Sequence, residues 1–180
     1  MTNPIVVVDY DPQWPVAFAT IRATLETVLT EVPVIGIEHV GSTSVPGLAA
    51  KPTIDIDVIV DRLHVGDAIA ALEAVGYRSL GEMGVPDRHA FKPPPDSIRQ
   101  NTYVTVVGCL SLRNHLGLRD MLRNDPELRD ESSSVKRRLA AATDDIDVYV
   151  DGKSDVVRRI LARAGLDVAE LDEIETGNRL

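Results

Sequence analysis

The chain has 180 residues, 44% of them apolar and 4% aromatic, with a formal net charge of −9. That length suits one domain with its own core and is short for two, and the apolar share marks a folded chain. The acidic balance argues against a general nucleic-acid binder, which needs a basic face against phosphates, but leaves room for a small basic pocket. Cys109 is the single cysteine, so no internal disulfide forms and a structural zinc site is not expected. Set in an apolar stretch, it is expected as a small buried side chain. No charged-then-apolar leader opens the chain and no apolar run reaches the ~18 residues of a membrane span. A cytoplasmic protein without membrane contact is expected.

In chain order, residues 5–8 read as a short strand or extended entry. A proline then precedes a helical stripe of Phe18, Ile21, Leu25, Val28, Leu29 and Val32, recurring at three- and four-residue steps until Pro33 stops it. Residues 34–40 and 53–60 read as strands. Val65, Ile69, Leu72 and Val75 predict a second helix closed by Gly76. From 77 to 107 the pattern is β, with a proline-rich connection at 93–95. Three helical segments follow, at about 110–123, 126–142 and 153–164. The order predicts one α+β domain, residues 1–166, with a mixed sheet packed by helices and a C-terminal helical cap. Residues 167–180 are expected to be a loose tail.

The strand "TIDIDVIV" holds the first chemical signal. Side chains alternate faces along a strand, so Ile54, Ile56, Val58 and Val60 share one face while Asp55 and Asp57 share the other. Carboxylates at i and i+2 stand about 7 Å apart at the backbone and can serve one divalent cation, for which hard oxygen donors favour Mg²⁺. An isolated pair of this kind is more often a solvated or arginine-paired rim. The preceding strand, however, ends in Gly41-Ser42, where a glycine allows close backbone approach and successive N–H groups with a hydroxyl can hold phosphate oxygens. Lys51 is either a phosphate counter-charge or a solvated loop lysine.

Four stretches, "DYDPQWPVAF", "IEHVGSTSVPGLAAKPTIDIDV", "LRNHLGLRDMLRNDP" and "VYVDGKSDVVRRILARAG", resemble the GrpB family and together span nearly the whole chain. The family resembles a branch of the polymerase-β-type nucleotidyltransferases, with relatives fused to dephospho-CoA kinase. The resemblance implies a nucleotidyltransferase-like sheet in which Gly41 and Ser42 face a triphosphate and Asp55 and Asp57 bind metal. Active members of that superfamily add a third carboxylate from a later strand. The counterpart here, "NTYVTVV" at 101–107, holds no acid.

Other candidates have a bland reading beside the functional one. Arg88, in "RHAFKP", either lines the pocket or protects a strand edge. His115 and Arg119 lie one helical turn apart and share a face, with Arg113 off to the side; they either grip a phosphate or form a mixed-charge surface. The match to the family's "LRNHL-LRD" pattern supports the first. Lys153 either reaches the pocket or starts its helix in solvent. Trp14 and Phe18 are expected to plug the core.

Two functions follow. One is Mg²⁺-dependent transfer of a nucleotidyl group from a nucleoside triphosphate to a small acceptor. The other is a catalytically inactive module that keeps the pocket for a nucleotide, a CoA-like ligand or another phosphorylated small molecule, linked to coenzyme A metabolism. A third reading, a scaffold in which Asp55 and Asp57 only pair with basic side chains, stands behind both. Neither the acceptor nor a protein partner is legible.

Overall fold

The computed structural model describes residues 4–177. Helix α1 (Trp14–Val28) has a proline in its first turn, where no amide donor is required. It buries Trp14, Ile21 and Leu25. Five strands follow: β1 (Val34–Val40), β2 (Ile54–Val60), β3 (Arg78–Gly81), β4 (Arg88–Lys92) and β5 (Gln100–Val106). They form one sheet in the order β1-β2-β5-β4-β3. Only β2 and β5 run parallel, the other pairs being antiparallel, so the sheet is mixed and the fold α+β. Parallel pairing needs a long crossover, supplied by helix α2 (Val65–Ala74) with β3 and β4.

The two faces of β2 divide the molecule. Ile54, Ile56, Val58 and Val60 join Val104, Phe91, Trp14, Leu25 and Leu72 in the main apolar core, closed by α1 and α2. On the other face Asp55 and Asp57 stand in register with Val40 and Glu38 of β1 and with Asn101 and Tyr103 of β5. That polar face is covered by the C-terminal helices: α3 (Leu110–Asn124), α4 (Pro126–Ala142), α5 (Ile146–Asp151), α6 (Ser154–Arg163) and α7 (Val168–Gly177). A second apolar cluster, Val45, Leu48, Leu122, Leu128, Val156 and Ile160, pins these helices to the loop after β1.

Several expectations change. Residues 5–8 supply one isolated bridge, Val8 to Ala50, rather than a strand. Val75 lies outside the core stripe of α2, 47% exposed, because the helix ends at Ala74. Cys109 follows the strand and caps α3, its Sγ accepting from the Leu112 amide at 3.4 Å. Helix α5 has no long apolar stripe to announce it; Asp145 starts it by accepting the amides of Asp147 and Val148. The expected loose tail carries α7 through Gly177. Leu171 is buried with Leu161 and Leu166, and Ile174 packs beside them; Arg113–Glu170 and Arg158–Asp172 pairs hold the helix from outside. Residues 178–180, also assigned to that tail, lie outside the described residues. No described helix is long and apolar enough to cross a membrane.

His39, on the core-facing side of β1, locks the loop after the strand. Thr43 Oγ1 donates to the Thr53 carbonyl at 3.1 Å, so His39 Nε2, 3.0 Å from the same oxygen, is the donor and the ring is the neutral Nε2–H tautomer. The ring also stacks on Phe18 at 4.7 Å. Burial, reinforced by the charges of Arg123 and Arg119, holds its pKa down at about 4. A histidine whose folded pKa is depressed destabilises the fold as pH falls below the unfolded value of 6.5, because only the unfolded chain then takes the proton. Wild type should therefore lose about 2 kcal/mol from this group between pH 7 and pH 5. Urea denaturation of wild type and His39→Gln at both pH values checks it: the variant's loss over that interval should be smaller by that amount.

Candidate functional site

The turn joining β1 to the next loop is built for close approach. Gly41 has φ +67°, and a Cβ there would lie 2.1 Å from Asp55 Oδ2, so only glycine fits. Ser44 Oγ closes the turn on the Gly41 carbonyl at 2.6 Å. Arg123 donates to the Ser44 carbonyl from Nε and Nη2 at 3.0 and 2.7 Å. Gly41 and Ser42, with Lys51, Asp55, Asn101, Lys136, Tyr149 and Lys153, line a cleft of about 480 Å³. Four expected binding residues and one of the two acids thus meet in one place.

Lys136 was not legible as a site residue, yet it organises the cleft. It is buried on the inner stripe of α4 with Leu128, Ser132 and Ser133. Its Nζ donates to Ser42 Oγ at 2.6 Å and to the Ala49 carbonyl at 3.2 Å. The signal available in sequence was its position at i+4 steps from Leu128 and Ser132, a place where a lysine is out of character. Tyr149, fully buried, lies under two further ammonium groups, 4.5 Å from Lys153 Nζ and 5.6 Å from Lys51 Nζ. Burial, with Lys153 nearby, pushes the Lys136 pKa down to about 7. Burial and Lys51 push Lys153 down to about 8, and burial lowers Lys51 as well.

The two aspartates share a face but not an environment. Asp55 lies at the cleft, its Oδ1 accepting from Asn101 Nδ2 at 2.7 Å. Burial raises its pKa, more than the Asn101 amide lowers it. Asp57 is 0% exposed and does not line the cleft. Its Oδ2 pairs with His115 Nδ1 at 2.7 Å, while Oδ1 is buried without a partner. Burial alone would depress the His115 imidazole, but the Asp57 charge and hydrogen bond, with Asp55 behind them, hold it above its ordinary value. Asp57 is therefore tied to a histidine, not to an arginine.

The two acids leave few oxygens free for a cation. Mg²⁺ commonly takes one or two carboxylates and completes its shell with phosphate oxygens and water; Asp55 keeps an oxygen not held by Asn101, and Asp57 Oδ1 is unpartnered. Among the described residues no group of three or more Asp, Glu, His or Cys could hold a metal by itself. The β5 residues opposite Asp55 and Asp57 are Asn101 and Tyr103, so β5 supplies no third acid.

The remaining candidates scatter. Arg113 points outward to Glu170 of α7. Arg119 spans Glu38 at 2.7 Å, Asp120, and the His39 carbonyl at 3.2 Å, bracing β1 instead of facing the cleft. Arg88 lies with its guanidinium 4.9 Å from the Tyr103 ring centroid and lines a separate cavity of about 490 Å³. His115 lines a third cavity of about 260 Å³, which shares Lys153 with the cleft.

The chain matches the family described as GrpB protein over residues 4–163. It is 37% identical over 163 residues to a UPF0157 protein of Halalkalibacterium halodurans, covering 89% of this chain and 82% of the relative. A UPF0157 protein of Pseudomonas aeruginosa is 38% identical over 164 residues, covering 89% and 67%. The crystal structure of conserved protein GrpB from Enterococcus faecalis superposes with a TM-score of 0.78 at 31% identity, covering 94% of this chain and 99% of that one. The structure of the GLD-2/RNP-8 complex matches at a TM-score of 0.56 and 13% identity, covering 84% and 51%; that likeness speaks for the fold alone. The shared architecture is an α+β fold on a mixed five-stranded sheet.

Removing His115 should leave a buried, uncompensated carboxylate. We expect His115→Leu to destabilise the fold by about 3–5 kcal/mol, and Asp57→Asn in the same chain to recover part of that loss. Chemical denaturation of wild type, single and double variants reads the result; a single variant within about 1 kcal/mol of wild type would show the pair to be dispensable.

Proposed function

This chain belongs to the GrpB family, and we propose that its cleft binds the phosphates of a nucleoside triphosphate, or of another phosphorylated small molecule, together with one Mg²⁺. The observation that carries the reading is the convergence of Lys51, Lys136 and Lys153 on the Gly41–Ser42 corner, beside the one carboxylate that reaches the cleft. Crowded ammonium groups with lowered pKa values are in an unfavourable state that a polyanion relieves. Lys136 orients the Ser42 hydroxyl, Tyr149 holds the other two lysines from below, and Asn101 fixes Asp55 so that its second oxygen stays toward Gly41. Asp55 would hold the cation, with the buried Asp57 charge behind it; when bound, the cation neutralises phosphate charge and orients the polyphosphate.

Nucleotidyl transfer to a small acceptor is the second reading, favoured by two acids on one face of a nucleotidyltransferase-like sheet. Asn101 tells against its two-metal form, since an amide neither ligates a second cation as an anion nor accepts a proton at pH 7. Binding therefore comes first, and a role tied to coenzyme A or to a partner protein fits the same cleft.

Calorimetry with ATP, CTP, GTP and UTP in Mg²⁺ should give saturable heat for at least one, weakened at least tenfold in Lys136→Met and in Asp55→Asn. Silence with all four, and with pyrophosphate, sinks the reading; pyrophosphate release above background moves the second reading to the front. A polyanion should also raise the lysine pKa values, so binding near pH 8 should take up about one proton and weaken as pH rises further. Titrations in buffers of differing ionisation enthalpy measure that uptake, and none at all would mean the lysines do not meet the ligand.

A further inference from the structure

Arg88 is the residue that the phosphate cleft does not explain. It stands on β4 beside β5, paired in register with Thr105, and its guanidinium lies on the Tyr103 ring. Among the described residues no ion pair or side-chain hydrogen bond reaches its guanidinium, and its Nε is buried without a partner. A guanidinium in that position is costly unless an anion compensates it.

The space beside it has room for one. The cavity of about 490 Å³ has an apolar wall of Val85, Pro86, Leu110 and Ile174, with Arg88, Ser111, Asn114 and Thr176 among its polar members. Of the acids at its edge, Asp172 is engaged by Arg158 at 2.8 Å and Glu173 is exposed, so neither neutralises Arg88. The cavity is also not isolated. Asn114 and Ile174 belong as well to the 260 Å³ cavity that holds His115, and that cavity shares Lys153 with the phosphate cleft. The three cavities are thus neighbours that share side chains, from the Gly41–Ser42 corner past His115 to Arg88.

We propose that the Arg88 cavity is a second ligand site, for a small carboxylic acid with an apolar body. The head group pairs with the guanidinium and the body rests on Val85, Pro86, Leu110 and Ile174. A carboxylate suits better than a phosphate, because one uncompensated cation in an apolar wall matches a single negative charge; a dianion would bring a second that finds no partner. The assignment does not depend on what occupies the phosphate cleft.

Octanoate serves as the probe, with octylamine as its cationic match of the same chain length. Titration of the full chain, followed by calorimetry and by methyl NMR shifts, should show saturable octanoate binding. Octylamine should show none. Arg88→Met should weaken octanoate at least tenfold, about 1.4 kcal/mol. Arg88→Lys, which keeps the charge but not the planar fork, should fall between. Should Arg88→Met fail to fold, Ile174→Trp, which fills the cavity from α7, should abolish octanoate binding with Arg88 intact. Absence of octanoate binding, equal binding of octylamine, or binding unchanged in either variant would overturn the site.

Discussion

Burial of the Asp57 carboxylate is the constraint around which this molecule is arranged. Strand β2 lies inside the sheet with both faces covered, so period-two alternation sends Ile54, Ile56, Val58 and Val60 into an apolar core and its acids under a helical layer. An ionised carboxylate in such a place must be compensated. His115 does so from α3 at 2.7 Å, and this fixes the rotation of α3 over the sheet. One turn later the same helix face delivers Arg119 to Glu38, the β1 residue in register with Asp57. Helix α3 is thus attached to the sheet largely by charge, and its apolar side is left to bind α4, α6 and α7.

That arrangement also separates the acids by role. Asp57 is committed to His115, whereas Asp55, two residues earlier, stands at the mouth of the cleft and bonds to a neutral amide. Opposite it the lysines gather, drawn from the loop before β2, from α4 and from the start of α6. An acidic chain can hold such a cluster because distant surface charges are screened by salt, while groups a few ångströms apart in a desolvated cleft are not. The net charge of −9 therefore describes the surface and says little about this cleft.

The β2 chemistry was legible because it is local. Alternation placed Asp55 and Asp57 on one face, and the Gly41-Ser42 corner sits against them; the Cβ-sized gap at Gly41 is filled by the Asp55 carboxylate itself. Sheet type, most strands and five of the helices could be read from periodicity and breakers. Lys136 could not, since it lies 94 residues from the serine it holds and nothing local links them. The choice left open for Arg113 and Arg119 had the complementary cause: a helix face tells which residues travel together, not what they meet. Arg113 meets α7, and α7 was itself obscured because its acidic residues mask a stripe as short as Leu171 and Ile174.

Asn101 decides how far the fold can be taken as an indication of chemistry. It sits opposite Asp55 in the parallel β2–β5 register, where it steers Asp55 by donating a hydrogen bond. An acid there would repel Asp55 unless a cation lay between them; the amide holds the carboxylate in place with no cation at all. On the proposed reading, the cation would then arrive with the phosphates. The lysine cluster has the opposite character: its three positive charges repel one another until an anion comes. The two halves of the cleft therefore differ in what they lack, and a metal–polyphosphate, the ligand proposed for this cleft, would satisfy both.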